Sequence, residues 1–298
     1  MTTNVAVTPA RRGVTLAGRF AGLLRHGPVH AVVICIALLW MVSTVGLLAS
    51  SFRPPHLVSR TGWWTALQPP FAFTLENYQR VLTVNNMGQS FVNSLLVAET
   101  ATVVPILFAA FAAYAFAWTS FPGRDLLFLT VVGLLVVPLQ MTLIPVLRLF
   151  TELGLTGTFP AIWLAHTGYG LPFSICLLRN FFGSLPRELF EAAAIDGASP
   201  LTIFFVLVLP TSVPALASLA IFQFLWVWND LLVALIYLGG QPSVAPMTVT
   251  VSNLVNSLGQ DWQLLTAAAF ISMSLPLLIF FSLQQYFVRG ILAGSVDG

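Results

Sequence analysis

Long apolar runs alternate with short polar breaks along this chain. The runs fall at about 28–50, 89–118, 126–150, 160–182, 206–238 and 262–287. Each has about 20 residues or more, the length a helix needs to cross the hydrocarbon core of a bilayer. The pattern predicts an all-α membrane protein of six transmembrane helices. Several runs carry residues that interrupt a helix: Pro138 and Pro145 in the third, Gly168, Gly170 and Pro172 in the fourth, Pro210 and Pro214 in the fifth, and Pro276 in the sixth. Bends are expected there. Residues 1–27 are polar, with Leu16, Phe20, Leu23 and Leu24 on one helical face, which predicts a short interfacial helix. Residues 51–88 are rich in Pro, Trp and Thr and read as an irregular outer loop, residues 239–261 as a second one, and residues 289–298 as a tail. The run at 28–50 is longer than the core of a cleavable signal and reads as an anchor that is retained.

The break at 184–200 differs from the others. Glu188, Glu191 and Asp196 fall within nine residues, in a chain of which 7% is charged. Acids so placed belong in water or against another protein. Ser184 and Pro186 suit a helix start, and Leu185 to Ile195 carries good helix formers. Gly197 supplies a left-handed stop. Ser199 then suits the cap of a second helix with Pro200 at its first position, running to Leu209 and Pro210. Glu188 and Glu191 share a face by their spacing of three.

Charge gives the chain a side and removes one function. All twelve basic residues are arginine. A Walker A loop needs a lysine on the terminal phosphates, so any ATPase that drives this chain is another polypeptide. Arg11, Arg12, Arg19, Arg25, Arg124, Arg179, Arg187 and Arg289 fall on the side of the N-terminus, against Arg53, Arg60, Arg80 and Arg148 on the other. The excess predicts cytoplasmic termini and a cytoplasmic 184–200 loop. Cys35 and Cys176 lie in apolar runs, and the four histidines are scattered away from metal-ligand spacing. No metal site and no bound cofactor are expected, nor a nucleic-acid partner.

Two sets of residues are candidates for a pathway. Gln223, Trp226 and Asp230 share a face of the fifth run, beside Asn229. An amide, a flat ring and a carboxylate suit a sugar, whose hydroxyls take the polar groups and whose C–H face stacks. Trp228-Asn229-Asp230 also reads as part of an interfacial aromatic belt. Glu99 lies near the middle of the second run, opposite a stripe of Ser90, Asn93, Ser94, Val97 and Ala101. An ionisable residue there is either functional or neutral and hydrogen-bonded to a neighbouring helix. Two other classes use the same residues. A proton-coupled secondary transporter would work through Glu99 or Asp230, but its inverted repeats are not seen. An intramembrane enzyme would need His166 and the buried acids to converge.

Glu191-Ala192-Ala193, Gly197 and Leu209-Pro210 resemble the EAA loop of ABC-importer permeases. With Glu188 before it and Asp196-Gly197-Ala198-Ser199 after it, the run is similar to the carbohydrate, maltose-type branch, with Leu207 in place of the usual Ile. Thr74 to Tyr78, Phe121-Pro122-Gly123, Trp228-Asn229-Asp230 and the tail from Gly290 also resemble the family, although Asp297 replaces its usual basic residue. The likeness covers about residues 70–298. It implies a MetI-like permease core over 89–288 in a bacterial or archaeal inner membrane. The loop would be a coupling helix docking on an ATPase, with Glu188, Glu191, Ala192, Ala193, Asp196, Gly197 and Ala198 in contact. The implied partners are a second homologous permease, two ATPase subunits that hold ATP and Mg, an extracytoplasmic sugar-binding protein and membrane lipid. In the family the sugar is held mainly by the partner permease, and a loop placed like 239–261 reaches into the binding protein. The branch looks closest to α-glucoside permeases, with maltose- or trehalose-like substrates.

Overall fold

A computed structural model of the chain describes residues 16–84, 86–255 and 261–293. The first run is one long helix, α1 (Leu16–Ser51), which passes Pro28 without a break. A separate interfacial helix before it is therefore not found: the helical part of the leader continues into the span. The face of α1 between Val29 and Leu48 is largely exposed, as a helix surrounded by lipid would be.

The segment after α1 is short turns held by polar bonds. It comprises α2 (Pro55–Val58), a 3₁₀ turn at Trp63–Leu67 and α3 (Glu76–Thr83). Arg53 is buried and donates to Gly62 O at 3.1 Å, Thr61 O at 3.3 Å and Thr65 Oγ1 at 3.0 Å. Burial draws its pKa below the ordinary arginine value. The Asn77 amide donates to Ser51 O and Arg53 O, both at 2.9 Å. Together these close the turn between α1 and α3.

The centre of the bundle is the pair α4 (Met87–Trp118) and α7 (Phe159–Gly183). Their buried faces are built of small residues: Ala98, Ala101, Ala109, Ala110 and Ala113 on α4, and Ala161 and Ala165 on α7. In lipid no hydrophobic drive pulls helices together, and close backbone approach through small side chains supplies the packing instead. Gly168, Gly170 and Pro172 do not divide α7, which runs through them as one helix.

The third and fifth runs are broken. The third is α5 (Arg124–Leu134) and α6 (Leu139–Glu152), set at 100° to each other around Pro138. After α8 (Arg187–Ile195), the fifth begins as α9 (Pro200–Ile203), a π turn at Phe204–Val208 and α10 (Leu209–Thr211), then turns 74° into α11 (Val213–Trp228). In the π turn, Leu209 N–H reaches back to Phe204 O, and Pro210 has no N–H to resume the ordinary ladder. Counting each bent pair as one span gives six among the described residues.

The fifth span does not run on to Leu238. It stops at Trp228, and 232–238 form a separate helix, α12 (Leu232–Leu238), followed by α13 (Met247–Asn253). The last helix, α14 (Trp262–Ala293), extends into the predicted tail, of which residues 294–298, Asp297 included, lie outside the described residues.

Candidate functional site

Two places have the geometry of a working site, one at the Trp118 end of the α4–α7 pair and one midway along α7. The first is the 184–200 loop. Ser184 does not start α8; it closes α7, its Oγ donating to Phe181 O at 2.7 Å, and Pro186 occupies the cap of α8. The end of α8 follows from Gly197, whose φ is +76°. Ala198 N–H reaches Ala193 O and Gly197 N–H reaches Ala194 O, each at 3.0 Å. This paired closure requires the left-handed residue that glycine supplies. Ser199 caps the next helix as the sequence predicts, its Oγ accepting from Thr202 N–H at 3.2 Å.

One side of α8 is locked to the bundle. Phe190 is buried and stacks on Trp118 at the end of α4, with ring centroids 3.5 Å apart and planes 15° apart. Trp118 Nε1–H donates to Phe182 O at 2.8 Å, and Tyr114 OH donates to Pro200 O at 3.0 Å. The other side of α8 is free. Glu188, Glu191, Ala192, Ala194, Asp196 and Gly197 are exposed, Ala193 and Ala198 partly so. A rigid mount with an exposed acidic and small-residue face can transmit a push from a docked partner into α4 and α7. The sequence reading missed Phe190 and Trp118. The signal was a lone aromatic between two acids on a polar helix.

The second place is a groove where α7 passes the two helix breaks. Trp226 and Asp230 border a cavity of about 530 Å³ with Tyr169, Gln140 and Thr142. A second cavity of about 300 Å³ lies beside it, bordered by Gln223, Gly170, Phe173 and the same Tyr169 and Trp226. Asp230 sits beyond the end of α11 and caps α12, its carboxylate accepting from Val233 N–H at 3.3 Å and Ala234 N–H at 3.0 Å. His166, wholly buried, packs edge-on against Trp226 at 5.2 Å, its Nε2 3.6 Å from the Asp230 carboxylate. Tyr169 OH lies 2.7 Å from Tyr237 OH and accepts from Thr142 Oγ1 at 3.1 Å.

Gln223, Trp226 and Asp230 are thus brought to one groove; Asn229 and Glu99 are not. Gln223 is pinned, its amide donating to Ala101 O at 3.1 Å against the open side of Gly170. Asn229 bonds back to Leu225 O on its own helix. Glu99 is exposed on α4 and has no hydrogen-bond or ion-pair partner among the described residues. A bond from Glu99 to a neighbouring helix of this chain, the alternative entertained for it, is therefore not what holds it. His166 meets Asp230 beside the groove, whereas Glu99 stands apart from both. No cluster of His, Cys, Asp and Glu among the described residues could hold a metal ion.

The stripe of Ser90, Asn93 and Ser94 serves a third purpose. Asn93 Nδ2 donates to Ser243 O and Ala245 O, both at 3.1 Å, Ser94 Oγ accepts from Met247 N–H at 2.7 Å, and Ser90 Oγ lies 2.7 Å from Thr250 Oγ1. These bonds fasten the segment around α13 to the Met87 end of α4. Gly239 to Ser243 stay at the surface or partly so.

Broken spans, an interior groove and a mounted helix with a free acidic face define a membrane component that moves a solute and works with other proteins. The chain belongs to the family of binding-protein-dependent transport system inner membrane components, whose pattern matches residues 85–293. It is 61% identical over 272 residues to the osmoprotective compounds uptake permease protein GgtD of Synechocystis, covering 90% of this chain and 91% of that one. It is 56% identical over 241 residues to the alpha-glucoside transport system permease protein AglG of Rhizobium meliloti, covering 79% of this chain and 63% of that one. Among solved structures it is similar to a bacterial ABC transporter that imports the acidic polysaccharide alginate, with a TM-score of 0.71 at 22% identity over 94% of this chain and 99% of that one. That likeness shows the fold. The chain is a transport subunit and not an enzyme, ATP hydrolysis in such importers being carried by separate subunits.

Proposed function

We propose that this chain is one of two permease subunits of an ABC importer for neutral α-glucosides. The observation that carries the coupling role is α8 itself: its Phe190 side is stacked on Trp118 while Glu188, Glu191 and the small residues face outward. ATPase subunits with ATP and Mg dock on that face. Closure of the ATPase pair draws the two docking helices together, and the mounts carry the motion to α4 and α7. The bundle then alternates between inward and outward openings. Loop 184–200 and both termini lie in the cytoplasm, in line with the arginine excess. The surface turn from Gly239 to Pro242 faces an extracytoplasmic sugar-binding protein.

Two relatives narrow the cargo. One is named for α-glucosides and the other for osmoprotective compounds. A trehalose-like α-glucoside satisfies both descriptions, being a neutral glucoside that also protects against osmotic stress. The test is uptake of labelled trehalose and maltose by cells that carry the importer, with wild type and Gly197→Asp side by side. Wild type takes up at least one of them, while Gly197→Asp, forced to place a side chain at φ +76°, inserts normally and loses uptake and sugar-stimulated hydrolysis. Full coupled transport by Gly197→Asp would refute the role given to α8.

A further inference from the structure

The groove has a composition that selects by charge. Its two cavities meet at Tyr169 and Trp226, which border both. Trp226 is 39% exposed and borders both cavities. The polar groups are few: the Tyr169 and Thr142 hydroxyls, the Gln140 and Gln223 amides and the Asp230 carboxylate. No arginine or histidine borders either cavity, and the chain has no lysine.

The walls are held in place before anything binds. Asp230 is fixed by two backbone N–H groups of α12, Tyr169 by its contacts with Tyr237 and Thr142, and Trp226 by the edge contact with His166. Gly168 opens the floor, since a Cβ there would meet nothing within 4 Å. An uncharged pyranoside fits this set: its C–H face stacks on the indole while its hydroxyls donate to Asp230 and exchange bonds with Tyr169 and Gln140. An anionic sugar would meet the Asp230 carboxylate with no basic side chain lining the cavity to offset it; His166, the basic group nearest that carboxylate, is wholly buried behind the wall.

We infer that this chain itself supplies a glycosyl subsite of the translocation path, built on Trp226, Tyr169 and Asp230, which accepts an uncharged hexopyranoside and rejects its phosphorylated form. The inference rests on the sugar-importer reading above and adds which subunit holds the sugar and which charge is refused.

The test uses the whole membrane complex, both permeases with their ATPases, in nanodiscs without the binding protein. Equilibrium binding of labelled trehalose is measured with trehalose and trehalose 6-phosphate as competitors. Wild type binds trehalose saturably, and the phosphate ester does not compete. Trp226→Ala weakens binding about tenfold, and Trp226→Phe stays close to wild type. Gly168→Ile, whose Cβ enters open space, fills the floor and also weakens binding about tenfold. Asp230→Asn lets the phosphate ester compete. Wild-type binding in both Trp226→Ala and Gly168→Ile would overturn the subsite, as would competition by the phosphate ester in wild type. Loss of the second permease from the Trp226→Ala and Gly168→Ile complexes would overturn it too, by assigning this face to subunit packing. Trehalose and maltose uptake by the same wild-type importer separates the two failures. If uptake is present and groove binding is unaffected, the subsite falls alone; if neither sugar is taken up, the sugar reading falls with it.

Discussion

The two ends of the α4–α7 pair share an aromatic core and differ in what is added to it. At the α8 end, Tyr114, Phe182, Phe190 and Phe204 are buried in one cluster, with Trp118 stacked against it, and few polar bonds are needed. At the other end Phe150, Phe224, Trp228 and Tyr237 are buried just as deeply, but polar bonds are added to the rings: Asn93, Ser90 and Ser94 staple α13 to α4, and the neighbouring helices are broken beside the groove. The difference fits the work proposed for each region. A mount that passes on a push must not yield, and stacked rings at close-packed density yield little. A path that opens needs voids, interrupted spans and polar groups that can exchange partners.

Breaking the mount gives the largest expected effect. Trp118→Ala removes the stack on Phe190 and the bond to Phe182 O, at a cost of about 3–5 kcal/mol. It is read as a fall in thermal stability in detergent together with loss of the ATPase from the purified complex. Trp118→Phe keeps a ring and loses only the hydrogen bond, about 1 kcal/mol. If the two variants behave alike, stacking is not what holds α8.

A smaller effect is expected at the opposite end. Asn93→Ala orphans the carbonyls of Ser243 and Ala245 and costs about 1–3 kcal/mol. Limited proteolysis should then cut the 239–255 segment sooner, while α8 and ATPase association stay as in wild type. Loss of ATPase association would show that the two ends are not independent units.

Least of all should come from Glu99→Gln. With no partner among the described residues, its effect on the stability of the isolated subunit is within about 0.5 kcal/mol. A large drop in the isolated subunit would mean that this face of α4 has a contact in the chain after all. Unchanged uptake in the variant also argues against proton coupling through Glu99.

Much of the α8 end was legible because its rules are local. Gly197 stops a helix and Ser199 starts one through groups within five residues of each, and an acidic stretch in an apolar chain is conspicuous. Ser184 was read for the wrong helix because either end of a polar break can claim a serine. The end of α11 was not visible, since 231–238 are as apolar as the span before them. Asp230 three and four residues ahead of Val233 and Ala234 was the available sign of a new helix start. The stack of Trp118 on Phe190 and the approach of His166 to Trp226 and Asp230 join residues sixty or more apart in sequence, and no periodicity reports such meetings.

The central claim is that α8 couples this chain to an ATPase on another polypeptide. The most direct measurement is purification of the chain in mild detergent from its native membrane, with identification of what comes with it and assay of sugar-stimulated ATP hydrolysis. The account predicts a second six-span permease and an ATPase, with hydrolysis that rises when sugar-loaded binding protein is added. Recovery of this chain alone, able to drive glucoside uptake in vesicles under a proton gradient without ATP, would contradict it.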